Sequence, residues 1–406
     1  MSATTANGRA ETAAAPSTTT PIAITQAMNN HAWPSDGVAI TSAPFGLGGN
    51  PVLVSASMSG WSQSPGAPLQ AQVDLTPSPA PGLDAGNPGL CINPASTHQT
   101  FVRSWTLLGE VPASTGATVT AQGGTNIHLD ENDTTCVTLF ELGPQAPLAV
   151  RVATGPAPPP IPLVVQSGVM LYEPFVSFGG RLLIRVAGSA MPPPNQQHVS
   201  LAIDLDGEEI ARTECLGVTN AGGNLNWHFT TVPVDVLVDA APGHHALVVR
   251  TSGGSQFDAH DLVSALVLEE TGPPAQVEIQ PVLVNAPCIT QTGSGTAAWA
   301  SFGSGGGTLV ICASASGFAK DPATGDPLAL GFVLDGQPLK VDGQQPTLQV
   351  LANPSGPMHF TMVSNDLVVP NIPGGSHVLE LVANANTFTD GDDRCSITVL
   401  ELAPAA

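Results

Sequence analysis

The sequence predicts an all-β chain: three tandem antiparallel β-sandwich domains, immunoglobulin-like or jelly-roll-like, behind an N-terminal arm. Three observations lead there. Gly numbers 43 and Pro 39 in 406 residues, while Lys and Arg together number only 10. Long amphipathic helices need charged straight-chain residues on their wet face, so this composition suits short strands joined by many turns. Apolar residues alternate with period two, as in "HALVVRT" and "HVLELVA", which places Leu247 and Val249, or Leu379 and Leu381, on one face of a strand. Finally, "NWHFTTVPVDVLVDAAPGHHALVVRT" (Asn226 to Thr251) returns as "PMHFTMVSNDLVVPNIPGGSHVLELVA" (Pro357 to Ala383), the mark of a repeated unit.

In chain order, residues 1–35 are rich in Ala, Thr and Ser and are expected to form a flexible arm with too little apolar surface to fold alone. The first sandwich is expected over 36–150, a stiff Pro-rich linker over 151–162, the second sandwich over 163–270, a short linker over 271–275 and the third sandwich over 276–406. The copies begin alike, with "FGLGGNPVLVSASMSG" from Phe45, "FGGRLLIRVAGSA" from Phe178 and "FGSGGGTLVICASASG" from Phe302. They also end alike, in "IHLDENDTTCVTLFEL", "FDAHDLVSALVLEE" and "FTDGDDRCSITVLEL". Between these ends, Asp206-Gly207 and Asp335-Gly336 predict type I′ hairpin turns, whose two central residues both need positive φ.

The recurrent histidines and their neighbours, His228, Phe229 and His245, and His359, Phe360 and His377, are expected in the structural core. The near-equal spacing within each His pair can set two strands side by side. A buried pair, or a ring N–H bonded to a turn carbonyl, would then hold the corner. The first copy has Ala117 where the others have His245 and His377, and His98 is expected near the His228 position. Two histidines without a third ligand argue against zinc. The acidic turns Leu129 to Asp133 and Thr389 to Asp393 carry the oxygens calcium uses, but Asp and Asn are also ordinary turn formers. No metal or cofactor is therefore expected.

The six cysteines, Cys91, Cys136, Cys215, Cys288, Cys312 and Cys395, do not fall at matching places in the copies: Cys312 aligns with Ser55 and Cys395 with Thr135. They are expected as small buried apolar residues, not as a disulfide framework. The chain has no Gly-x-Ser-x-Gly elbow and no Walker loop, so it is expected not to be an enzyme. Exposed aromatics could bind carbohydrate; the candidates are Trp61, Trp105, Trp227 and Trp299, with Trp227 expected in the core because it aligns with Met358. A formal net charge of -22 disfavours nucleic acid and anionic membrane surfaces, and no apolar run is long enough for membrane insertion. The first residues lack a basic region followed by an apolar one, so the chain is expected to be made in the cytoplasm without a signal peptide.

The Pro-Gly-x-His strand, the acidic turn that follows it at a constant spacing and the closing "VLEL" together resemble the tandem β-sandwich modules of virion and tail-like particle proteins, such as phage fibre, decoration and contractile-injection components. The resemblance covers residues 40 to 402. It implies a non-enzymatic structural or attachment protein of a virion or extracellular particle, partnered by other particle subunits as a homo-oligomer, with a cell-surface ligand as a further partner. In that picture the arm anchors to a neighbouring subunit and the outer sandwiches project. The alternative is a secreted adhesin or carbohydrate-binding protein.

Overall fold

The computed structural model describes residues 22–33, 39–60, 68–69, 71–77, 91–92, 101–123, 129–130, 133–144, 146, 148–155, 167–193, 196, 198–216, 228–258, 261–271, 277–319, 327–341, 343–350 and 359–402. Every regular element among them is a β-strand, and every strand pairing is antiparallel.

Each copy contributes two facing sheets. In the first, Ile22–Ala32, Thr134–Leu142, Pro51–Gly60 and Phe101–Glu110 lie side by side in that order. Opposite them, Ser114–Gly123 pairs with Ala39–Thr41, Phe45–Leu47 and Ala71–Thr76. In the second copy the order is Leu148–Gly155, Val263–Glu270 and Gly180–Ala190, followed by Phe229–Thr230 and Val234–Ala240. Facing it are Val169–Ser177, Gly243–Ser252, His198–Leu205 and Glu208–Leu216. The third copy repeats this with Val277–Pro287, Arg394–Leu402 and Gly307–Ala319, then His359–Thr361 and Asn365–Ile372, against Gly295–Ser304, Gly375–Ala383 and Leu328–Leu334.

The closing strands explain how the copies are arranged. Thr134–Leu142 is buried at every position, and Val263–Glu270 at all but its last. A strand with only one face in a core would alternate; burial of both faces means that each face packs on something. Val137 and Leu139 enter the core of the first copy, and Val263, Ala265 and Val267 that of the second. The alternate residues Phe140, Leu142, Leu266 and Leu268 meet Ile22, Leu53, Leu183, Val277, Ile279, Val310 and Leu400 in a fourth apolar cluster drawn from all three copies. Each fully buried Leu, Val or Phe there adds about 1.5–3 kcal/mol relative to exposure. The copies are packed against one another around this cluster, in contrast to domains strung on a stiff spacer.

Three expectations are corrected. The flexible arm does not extend to residue 35: Ile22–Ala32 runs along the first closing strand, from Ile22 opposite Leu142 to Ala32 opposite Thr134. Its Met28 and the following Trp33 are buried in the first core. The cause is the free edge of the closing strand, which gives an Ala/Thr-rich segment the hydrogen-bond partners it lacks alone. The linker expected from 151 likewise begins too early. Leu148–Gly155 pairs with Val263–Glu270 over its whole length and belongs to the sheet of the second copy; residues 156–162 lie outside the described residues. Lastly, Phe175, not Phe178, corresponds to Phe302. Phe175 stands opposite His245, Phe302 opposite His377 and Phe45 opposite Ala117, while Phe178 is 69% exposed at the turn.

Candidate functional site

Four recurring constructions bring polar side chains together. The first is the hairpin corner. Asp206 and Gly207 have φ of 54 and 86, and Asp335 and Gly336 of 51 and 74, the left-handed pair that joins His198–Leu205 to Glu208–Leu216 and ends Leu328–Leu334. His245 Nδ1 lies 2.7 Å from Asp206 Oδ2 and its Nε2 2.8 Å from the Ala241 carbonyl oxygen. His377 repeats this with Asp335 at 2.7 Å and the Pro373 carbonyl at 2.9 Å. The Ala246 and Val378 amides donate to the other carboxylate oxygens. With acceptors at both ring nitrogens the imidazolium is favoured, so the hydrogen bond to Asp206 or Asp335 raises each histidine's pKa. His377 is buried and His245 half-buried.

The second construction is the acidic turn. Asp258 N–H donates to Asp261 Oδ2 at 3.1 Å, Asp390 N–H to Asp393 Oδ2 at 3.0 Å and Asp130 N–H to Asp133 Oδ2 at 3.1 Å. In the second and third copies a buried histidine sits on this turn: His228 Nδ1 is 2.8 Å from Asp261 Oδ1 and His359 Nδ1 2.8 Å from Asp393 Oδ1. Burial disfavours the charged rings, but the aspartates outweigh it and raise both histidine pKa values. In the first copy Ser59 Oγ donates to Asp133 Oδ1 at 3.1 Å. Burial pushes the Asp133 carboxyl up to about 7, against the opposing pull of its hydrogen bonds. The groups His228, Asp258, Asp261 and His359, Asp390, Asp393 each hold their ligand atoms within 4.8 Å of one another and could hold a metal ion; their aspartates already bond the turn amide and the imidazole.

His228 does not stand beside His245, nor His359 beside His377. The strand after His228 pairs with Gly180–Ala190, whereas Gly243–Ser252 lies in the opposite sheet, because the residues between each pair cross the sandwich. Phe360 is buried in the third core, and half-buried Phe229 packs against both the second and third cores. His98, Trp61, Trp227 and Met358 lie outside the described residues.

The third construction fixes the Phe-Gly turns. Glu141 Oε1 accepts from the Gly48 and Asn50 amides at 2.7 and 3.2 Å, and Glu269 Oε1 from the Phe178 and Gly179 amides at 2.6 and 3.1 Å. Both carboxylates are buried, as is Glu401 at the same place in the third copy.

The fourth construction is the junction itself, and it is the candidate site. Three residues before these glutamates stand Thr138, Leu266 and Thr398, and opposite them Ser55, Arg185 and Cys312 occupy equivalent positions; on the next strand beyond stand Thr106, Asp235 and Asp366. Arg185 forms a two-pronged pair with Asp235, Nε to Oδ1 at 2.7 Å and Nη2 to Oδ2 at 3.0 Å. Its Nη1 reaches Asp366 at 3.0 Å and Ser55 at 3.3 Å, joining all three copies. Although burial opposes it, Arg185 holds the Asp366 carboxyl below the usual range. Hydroxyls continue the network: Ser57 to Ser104 at 2.8 Å, Ser104 to Ser364 at 3.2 Å and Thr138 Oγ1 to the Asp366 carbonyl at 2.9 Å. Together they line a small, partly open cavity of about 40 Å³. One guanidinium against two carboxylates leaves its wall acidic and rich in hydroxyls, a lining suited to a cation or a neutral polar group. Sequence reading missed this site. The available signal was a charge inside an apolar strand, "LLIRVA", "PVDVLV" and "SNDLVV", in a chain with few basic residues.

No family model matches the chain, and no curated protein does. Solved structures similar to it include PNGF-II, at 11% identity and a TM-score of 0.31, covering 62% of this chain; the chain spans 66% of that protein's length. A peptide-N(4)-(N-acetyl-β-D-glucosaminyl) asparagine amidase is 10% identical, with a TM-score of 0.30, over 62% of this chain and 97% of the amidase. A triple jelly roll of a turret assembly in an archaeal virus is 12% identical, with a TM-score of 0.18, over 91% of this chain and 90% of that one. The expectation that the chain is not an enzyme is corrected here: similar solved structures include an amidase, so the sandwich architecture is no ground for excluding catalysis. At these identities and TM-scores none of them brings a reaction, ligand or residue to this chain.

Proposed function

We propose that the chain is a structural or attachment subunit of an assembled virion or other extracellular particle, joined to further subunits through exposed sheet edges. The observation that carries this reading is a row of apolar side chains on the edge strand Val169–Ser177 and the turn after it: Val169, Tyr172, Val176 and Phe178 are 56%, 62%, 47% and 69% exposed. Water-exposed apolar rows on an unpaired edge are a liability unless a partner covers them. Trp299, 56% exposed, repeats the Tyr172 position on the edge strand Gly295–Ser304. The shared apolar cluster and the Arg185 network support the same reading, since they make the copies one block that can transmit a fixed geometry. Residues 1–21 are the proposed anchor to a neighbouring subunit.

Sedimentation of the purified chain, with and without its particle, tests this. The chain is expected to self-associate or to sediment with the particle, and Tyr172→Ser with Phe178→Ser is expected to abolish that while leaving circular dichroism unchanged. A chain that stays monomeric and free of particles at every concentration removes the proposal. A second reading, carbohydrate binding, rests on Trp299, whose strand carries Thr296 bonded to Glu380 at 2.8 Å, a polar neighbour for a sugar stacked on an aromatic ring. Binding to neutral glycans that is lost in Trp299→Ala would favour it over assembly.

A further inference from the structure

The third copy carries a pair of free cysteines on neighbouring strands. Val277–Pro287 runs antiparallel to Arg394–Leu402 with Ala286 opposite Cys395 and Pro287 opposite Arg394. One residue further on, Cys288 N–H donates to the Asp393 carbonyl at 2.9 Å. The ladder therefore sets Cys288 and Cys395 as diagonal neighbours on the same face of two paired strands, a separation that a disulfide closes with a backbone shift. Both are free, buried thiols in the third core. The Cys288 thiol is raised well above its ordinary pKa, first by its interaction with Cys395 and then by burial.

The first copy shows what this position does. Trp33 stands where Cys288 stands, its N–H donating to the Asp133 carbonyl at 3.4 Å. Thr135 stands where Cys395 stands, two residues beyond the acidic turn. There the tie is non-covalent: Trp33 Nε1–H donates to Thr135 Oγ1 at 3.0 Å. In the first copy a side chain just past the opening strand is thus fastened to one on the closing strand; in the third the same two positions hold free thiols.

We propose that Cys288 and Cys395 are a disulfide site, closed when the chain meets a low-molecular-weight disulfide such as oxidised glutathione. In the reaction the thiolate of one cysteine attacks the reagent, releasing one glutathione thiolate and leaving a mixed disulfide. The second cysteine's sulfur then displaces the other glutathione. Two S–H bonds are lost and one S–S bond forms; the two electrons reduce the reagent to two thiols, which take up the two protons. The bond would close a loop spanning nearly the whole third copy, where a cross-link restricts the unfolded chain strongly. Burial and the raised pKa keep the thiols protonated and make the exchange slow at neutral pH, faster in mildly alkaline solution.

The test is to incubate the full chain with oxidised glutathione at mildly alkaline pH, alkylate the remaining thiols after denaturation, and map the cysteines by peptide mass spectrometry. The expected product is one cross-linked peptide pair joining Cys288 to Cys395, with the other four cysteines, Cys91, Cys136, Cys215 and Cys312, alkylated. The melting temperature should rise by about 10 °C, and Cys288→Ala should melt identically with and without the oxidant. Recovery of both cysteines as thiols, arrest at mixed disulfides with glutathione, or a different pairing overturns the proposal. A melting shift that survives in Cys288→Ala overturns it as well, because the gain would then arise elsewhere.

Discussion

The first copy and the two that follow it build the same frame with different chemistry. At the acidic turn the second copy seats His228 on Asp261 and the third bonds Asp393 to both His359 and Ser316, while in the first Ser59 bonds Asp133 as Ser316 bonds Asp393. At the junction the later copies contribute Arg185, Asp235 and Asp366, while the first contributes Ser55 and Thr106. The backbone register is the same in each case. The strand ladder and the apolar alternation thus set where a side chain goes, and local desolvation decides whether a charge there needs a counter-charge or a hydroxyl suffices.

The junction offers the sharpest way to break this comparison. Arg185→Met should strand two buried carboxylates and destabilise the chain by about 3–5 kcal/mol, read as a lowered midpoint in urea. Adding Asp235→Thr and Asp366→Thr, which gives every copy the neutral pattern of the first, should recover most of that loss. A triple variant no more stable than Arg185→Met would mean that the copies do not tolerate each other's chemistry.

The acidic turns should next separate by pH. The raised carboxyl of Asp133 means that the folded chain holds more protons than the unfolded one between pH 3.8 and about 7. Stability should accordingly fall as pH rises through that window. His228 and His359, also raised, contribute stability that is fully present below the ordinary histidine value of 6.5 and is lost as pH climbs through their folded pKa values. Asp133→Asn should therefore flatten the pH 4–7 slope of the unfolding free energy and leave the loss above it in place.

His359→Ala should cost about 1–3 kcal/mol by leaving Asp393 without its imidazole partner, with His228→Ala similar in the second copy. Ser59→Ala should cost less, about 1 kcal/mol, because a neutral donor is lost and the Asp133 carboxyl takes up its proton more readily. The smallest effect is expected at Thr135→Val, about 1 kcal/mol or less, through the lost Trp33 hydrogen bond. All four are measurable by equilibrium denaturation at pH 6.

The hairpins at Asp206-Gly207 and Asp335-Gly336 were legible because positive φ at two successive residues leaves few choices of side chain. Ile22–Ala32 was not, since its Ala, Thr, Gln and Asn residues carry little apolar signal and it becomes a strand only beside the closing strand. The Phe178 register slipped for a related reason: "FGG" matches by letters, but the Phe whose ring meets the histidine is Phe175, at 5.6 Å from His245. Arg185 went unread because its partners come from different strands and different copies, and no local spacing records that.

By itself the sequence determined the all-β class, the repetition and the turn chemistry, since these follow from backbone preferences and alternation within a few residues. The tertiary structure alone decided that the copies share an apolar cluster, that one arginine binds aspartates of two copies, and that Cys288 meets Cys395. Those are contacts between faces of strands far apart in the chain. Alternation says that a face is apolar or carries a charge, but what covers that face is settled only when the sheets pack.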